Sequence, residues 1–474
     1  MALPIREAAA MASKFSFEPR LVPPVETAFR HIHTAIPVPG SIPILQELAK
    51  AEPVSMLGQP PVIWDRAEGV QVFDKWGNAW LDWSSGVLVA NAGHGRREIR
   101  EALIAQIEHG LLHNYVFPSE LRARLADRLV ELAPPTLNKA YLLTTGSEAV
   151  ECAIKLSRTR GQRLRGRNKL VIVSFDGAFH GRTLGAQQAG GIPSQKEWIG
   201  HLDPGFVQVP FPGDLRCADR SFDVLERTLT SKGFTGAEVA GVIVETFQGG
   251  NASFMPVEYA RALREWCDAH DVVLTFDEIQ AAFGRTGKLW GFEHYGIVPD
   301  LVVIGKGVTS SLPLSAVIGR AEIMDQFPPG SMTSTHCGNP LSVTAALTNI
   351  DLIVGEHLPQ RAAETGAVLR AELEAIQRRH PAVVAEVSGA GLVYGLHIVH
   401  PGTLTPNPDL AQAIVQRAVE KGLMLFAPVG LMGSLIKINP PLIITEDAIH
   451  DGATALREAF EECVVPSGVS TGTR

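Results

Sequence analysis

With 474 residues, the chain is too long for one ordinary domain, and two or three packed units are expected. Hydrophobic residues make up 45% and charged residues 19%, which supports buried cores and excludes a largely disordered protein. A formal charge of -8, with no basic run, argues against a nucleic-acid partner.

The uncharged segment GLMLFAPVGLMG contains Pro428 and several glycines and has only about a dozen residues, too few to cross a bilayer. The opening MALPIREAAAMASKF carries Glu7 and lacks a continuous apolar core, so no signal peptide is expected. Cys152, Cys217, Cys267, Cys337 and Cys463 are scattered, odd in number and without a C-x-x-C pair. Reduced thiols in a cytoplasmic protein are the simplest account, and no metal-ligand set is read among the site residues.

Residues 1–60 form a proline-rich arm, predicted to be mostly extended with one short helix near Ile44–Ala51. Such an arm could wrap a partner subunit or be a loose leader. From 61 to 100, short alternating pieces separated by Glu68-Gly69 and Gly77-Asn78 read as an antiparallel meander, which leads into SSGVLVANAGHG. These residues are expected to be the N-terminal part of a small domain.

The large domain is expected over 101–357. Leu121, Leu125, Leu129 and Leu132 fall on one face of a helix over 119–133, a core stripe. The strand-like AYLL then enters TTGSEA, where a helix starts and its first N–H groups face outward, a good seat for a phosphate. An ordinary cap by Thr145 or Ser147 is the plainer alternative. LVIVS reads as the next strand and feeds FHGRT, where Phe179 could stack on a planar ring and Arg182 could present its fork to a carboxylate. His180 reads as a structural hydrogen-bonding residue.

GVIVE ends at Glu245, an amphipathic helix follows over 258–271, and VVLTF ends at Asp277. The segment GRTGKLWGFEHYG reads as a helix-like connection to LVVIG, after which comes Lys306. This strand–helix–strand alternation implies a largely parallel sheet covered by helices, an α/β domain. An acid and a lysine at two strand ends suit pyridoxal 5'-phosphate: the amine can hold the aldehyde as a Schiff base while the carboxylate keeps the pyridine nitrogen protonated.

From 358 to 465 the pattern changes to a smaller α+β domain, with helices over 360–379 and 409–422, strand-like LVYGLHIV, LMLF and LIKIN, and a last helix EDAIHDGATALREAFEE. The tail 466–474 is expected to be disordered.

The block DEIQ, GRTG, PD and Lys306 resembles the class III, 4-aminobutyrate-aminotransferase-like branch of fold-type I pyridoxal phosphate enzymes, and the separation of Asp277 from Lys306 matches that family. The likeness covers roughly 60–460 and implies a large α/β/α domain with a small α+β domain. It implies that Lys306 and Asp277 are catalytic and that Gly146 and Ser147 cradle the phosphate. Phe179, with His180 beside it, would cover one coenzyme face and Ile279 the other, and Gln280 would reach the phenolic oxygen. Thr335 of T-x-x-G-N-P would reach the phosphate of a neighbouring subunit, which implies a homodimer. Arg182, Val87 and Lys437 would contact substrate.

The implied reaction moves an amino group from an ω-amine or amino acid donor to a keto acid acceptor, through a Schiff base on Lys306 and a pyridoxamine phosphate intermediate. Two departures bear on the donor. Gly250 stands where the 4-aminobutyrate enzymes carry a second glutamate, and Lys437 where they carry an arginine before the P-L turn. 4-Aminobutyrate is therefore not assigned. Racemisation or epimerisation of amino acids on the same fold stays open, and more remotely a non-catalytic binding protein.

Overall fold

The computed structural model describes residues 15–464, so the predicted disordered tail 466–474 lies outside the described residues. The chain divides into two compact units, one comprising Leu88–Gly366 with Gly389–Val393, the other Met1–Val87, Ala367–Ser388 and Tyr394–Arg474.

The first unit is built on a seven-stranded sheet. In spatial order its strands are Lys139–Leu143, Ser315–Gly319, Leu301–Ile304, Val273–Asp277, Val239–Glu245, Val171–Phe175 and Phe206–Val209. The last five run parallel, while Ser315–Gly319 runs antiparallel to both its neighbours. Val, Ile and Leu fill the central strands without polar alternation, as a sheet covered on both faces requires.

The helix Gly146–Arg165 packs Ala149, Val150, Ala153 and Ile154 into one buried cluster with Ile243, Val273, Val303 and Val317. Side chains alternate along a strand, so Asp277 shares this face with Val273. Phe276, one residue earlier, takes the opposite face and lies 6.3 Å from the Phe292 ring and 5.8 Å from the Tyr295 ring.

One expected element is corrected. GRTGKLWGFEHYG is not a helix: it is a run of turns with a short 3-10 stretch at Gly291–His294. Gly284, Gly287 and Gly296 take φ of 90°, 87° and 65°, left-handed values that interrupt any helix.

In the other unit the meander forms as a sheet in the order Val25–Glu26, His31–Ile32, Ala79–Asp82, Gln71–Phe73 and Arg66–Glu68, with Leu423–Met424 added parallel to Ala79–Asp82. The proline-rich arm thus contributes a hairpin as well as the helix Ile42–Ala51. Buried Arg30 fastens that hairpin, donating from Nε and Nη2 to the two carboxylate oxygens of Asp451, each at 2.7 Å. All five cysteines are free. Among the described residues no helix is long and apolar enough to cross a membrane.

Candidate active site

Parallel strands Val239–Glu245 and Val273–Asp277 end in register, with Glu245 opposite Asp277. The neighbouring strand Leu301–Ile304 ends two residues before Lys306. A cavity of about 330 Å3 opens at these ends. Every coenzyme residue nominated from the sequence except Thr335 lines it, and so do Arg182 and Gly181.

His180 and Asp277 are the tightest pair in the cavity wall. Nδ1 of His180 lies 2.8 Å from Oδ2 of Asp277, and the side chains are 0% and 3% exposed. A carboxylate can only accept, so Nδ1 carries the proton. Burial disfavours a charged imidazole, yet the Asp277 hydrogen bond and the negative charges of Asp277 and Glu245 outweigh it and raise the His180 pKa. Nε2 of His180 is buried without a partner in the protein. The other Asp277 oxygen, Oδ1, accepts from the N–H of Ile279 at 3.1 Å.

Glu245 ties two loops to the strand ends, accepting from the N–H of Phe179 at 2.9 Å and of Gly249 at 3.0 Å. Burial raises its pKa, reinforced by Asp277 and opposed by His180. Burial likewise lowers the pKa of Lys306, against the attraction of Asp277 and Glu245, which favours the neutral amine a nucleophile needs.

The backbone at Lys306 is strained, with φ 42°. Its loop is held from several sides. Asn349 Nδ2 donates to the carbonyls of Gly307 and Val308, each at 2.9 Å, and Ser310 Oγ accepts from Ala92 N–H at 3.0 Å. Asn91, which accepts from Arg285 Nη2 at 2.7 Å, packs so closely that a Cβ on Gly307 would come within 2.4 Å of it. Asn91, Asn349 and Ser310 were not picked out from the sequence: Asn91 and Asn349 meet the Lys306 loop across a long stretch of chain, as does Ala92, the partner of Ser310, and no local spacing marks these pairings.

At the start of the helix Gly146–Arg165 the plain cap and the anion seat coexist. Thr145 and Glu148 form a capping box, in which Glu148 accepts from Thr144 and Thr145 N–H while Thr145 Oγ1 accepts from Glu148 N–H. That leaves the N–H groups of Gly146 and Ser147 and the positive helix end to meet an anion. The seat is tightly walled. A Cβ on Gly181 would lie 2.3 Å from Ser147 Oγ, and one on Gly146 2.8 Å from Ile279 Cδ1. Arg182 is exposed, with its guanidinium 5.5 Å from the Phe179 ring centre.

The remaining nominated residues are not brought into this cavity wall. Thr335 is exposed in the turn before the helix Pro340–Gly355. Val87 and Lys437 belong to the other unit, Val87 exposed with φ 65° and Lys437 buried opposite Gly395 on its strand.

The wall suits pyridoxal phosphate: a lysine amine, a buried carboxylate, an apolar Ile279 and aromatic Phe179, an anion seat bounded by glycines, and an orphaned buried imidazole nitrogen. Comparison with known proteins agrees. The family described as "Aminotransferase class-III" matches residues 55–460. Acetylornithine aminotransferase of Synechocystis sp. is 33% identical over 411 residues, 86% of this chain and 91% of the relative. Alanine/serine racemase of Pyrococcus horikoshii is 32% identical over 420 residues, 85% of this chain and 86% of the relative. The crystal structure of a pyridoxal-phosphate-bound amine transaminase from an uncultivated Pseudomonas species superposes with a TM-score of 0.78 at 28% identity, covering 85% of this chain and 95% of that one. The chain therefore belongs to the class III aminotransferases, fold-type I enzymes that use pyridoxal phosphate to move an amino group between an amine or amino acid and a keto acid.

Proposed function

We propose that Lys306 is the lysine that holds the coenzyme and shuttles the proton, and that Asp277 is the partner of the ring nitrogen. The observation that carries this is the convergence of both residues on one cavity, with Asp277 fixed by His180 at 2.8 Å. The coenzyme supplies an electron sink for the carbon–hydrogen bond broken in the substrate. Lys306 would hold the coenzyme through its side-chain amine and, when that amine is free, would act as the base and acid that moves the substrate proton, a positioned transfer that contributes roughly 10²–10⁴-fold.

The other residues position. Gly146 and Ser147 hold the phosphate, Phe179 and Ile279 clasp the ring, and Gln280 meets its phenolic oxygen. Arg182, exposed at the cavity, binds the carboxylate of the keto acid. Thr335, exposed in its turn, fits a contact to a second copy of this chain, so the working unit is a homodimer. With five free cysteines and no membrane-crossing helix among the described residues, the cytoplasm is the compartment we assign.

The donor we infer is an ω-amine or ω-amino acid. Similarity to an amine transaminase supports this, while Gly250 and Lys437, at the two positions where 4-aminobutyrate enzymes differ, leave 4-aminobutyrate itself unassigned. The racemase relative favours a second reading, in which a chiral amino acid loses and regains its proton with no keto acid. That chemistry needs an acid on the ring face opposite the lysine, and His180, the nearest in sequence to Phe179, commits Nδ1 to Asp277.

A panel of ω-amines and amino acids added to the coenzyme-loaded protein without keto acid separates the two readings. Bleaching of the lysine-linked absorbance, reversed by pyruvate or 2-oxoglutarate, is the expected result. An unbleached spectrum with loss of optical rotation from a chiral amino acid establishes racemisation instead.

A further inference from the structure

The hairpin near the N-terminus carries a feature that amino transfer does not use. Strands Val25–Glu26 and His31–Ile32 pair antiparallel, with Glu26 directly opposite His31. Side chains alternate along the second strand, so while Ile32 is fully buried, His31 and His33 both turn outward, on the face that Glu26 shares. His31 Nδ1 lies 2.9 Å from Glu26 Oε1, and His33 Nε2 lies 3.6 Å from Glu26 Oε2. All three potential ligand atoms fall within 4.8 Å of one another, the one such convergence among the described residues.

From this geometry we propose that Glu26, His31 and His33 form a binding site for a zinc-type divalent cation, with water as the fourth ligand. Two imidazole nitrogens and one carboxylate oxygen are a donor set suited to that class of ion. Bonds of about 2.0–2.2 Å in a tetrahedron need ligand atoms about 3.3–3.6 Å apart. The present spacings bracket that range, and small side-chain rotations reach it. The cation takes the three atoms as ligands, and any proton on a liganding ring nitrogen moves to the other nitrogen of that ring or to solvent.

The scaffold is rigid enough to hold a site. The turn between the strands is closed by Thr27 Oγ1, which accepts from the N–H of Phe29 at 3.1 Å and of Arg30 at 2.9 Å. Arg30 is locked to Asp451, and Asn78 Oδ1 accepts from the N–H of His33 at 2.9 Å. The sequence carries the signal as the HIH of residues 31–33, although the sequence reading nominated no metal ligands. Bound metal would cross-link both strands and steady the arm.

The test is calorimetric titration of the coenzyme-loaded full chain, freed of metal by chelator, with zinc chloride alone. Wild type should bind with one more site per chain than the His31→Ala/His33→Ala double variant, and Glu26→Gln should weaken that site at least tenfold. The amino-transfer rate of both variants should match wild type, which shows that they fold. Equal stoichiometry and affinity in wild type and double variant overturns the proposal. Zinc held elsewhere, for instance by His113 and His336, whose rings lie 5.2 Å apart, would give that result.

Discussion

Nδ1 of His180 and Oδ2 of Asp277 meet at 2.8 Å out of solvent, which orients the carboxylate that closes its strand at the cavity. The His180 N–H fixes one oxygen and the Ile279 N–H the other, so both carboxylate oxygens are held in place. Replacing Asp277 by Asn should keep the size of the group and remove its charge. A loss of about 10²–10³-fold in kcat/KM is expected, the scale of removing one preorganised electrostatic group, with thermal unfolding near wild type. Steady-state kinetics beside a melting curve would check it, and full activity would remove Asp277 from the site.

Gly181 has φ 134°, and the nearest atom to an added Cβ would be Ser147 Oγ at 2.3 Å. Gly181→Ala should therefore displace Ser147 from the anion seat and lower coenzyme affinity at least tenfold. Fluorescence titration of the coenzyme-free variant measures this directly. The strained backbone should add about 1–3 kcal/mol of destabilisation.

Arg182 is exposed and makes no ion pair among the described residues, so its removal should not disturb the fold. Loss of one charge-assisted contact corresponds to about 1.5–3 kcal/mol. Arg182→Ala should raise the KM for 2-oxoglutarate roughly ten- to a hundredfold and leave the half-reaction with an ω-amine that lacks a carboxylate unchanged. Equal effects on both halves would assign Arg182 to the scaffold instead.

Glu278 carries a pH signature in the coenzyme-free protein. It is buried, accepts from Thr246 Oγ1, Gly291 N–H and Phe292 N–H, and burial pushes its pKa up to about 7 against those three donors. Its folded pKa thus exceeds the unfolded value, and between about pH 4.5 and 7 the native state binds more protons than the unfolded chain. Its contribution to stability is therefore present below the unfolded pKa and lost as pH rises through 7. Glu278→Gln, which cannot titrate, should flatten that part of the stability curve, as denaturant melts across this window would record.

Several residues that the structure brings to one cavity were legible in the sequence because their signals are local. Asp277 and Lys306 each follow an apolar run that reads as a strand, and Gly146 and Ser147 sit where a strand gives way to a helix. The support was not legible. His180 read as a structural hydrogen-bonding residue, but its partner Asp277, like the contact of Asn349 with the Lys306 loop, is set by the packed sheet rather than by sequence spacing. The GRTGKLWGFEHYG segment misled for a different reason: as the connection between two strands it read as helix-like, while its glycines adopt left-handed φ that ends a helix.

Reduction of the coenzyme-loaded protein with borohydride, followed by proteolysis and mass spectrometry, tests the central assignment most directly. Reduction converts the lysine–coenzyme double bond to a stable amine, so the attachment point survives digestion. The account predicts one phosphopyridoxyl label, on the peptide carrying Lys306, and none there in Lys306→Ala. A label on another lysine, such as Lys155, or an undiminished label in that variant, would contradict it.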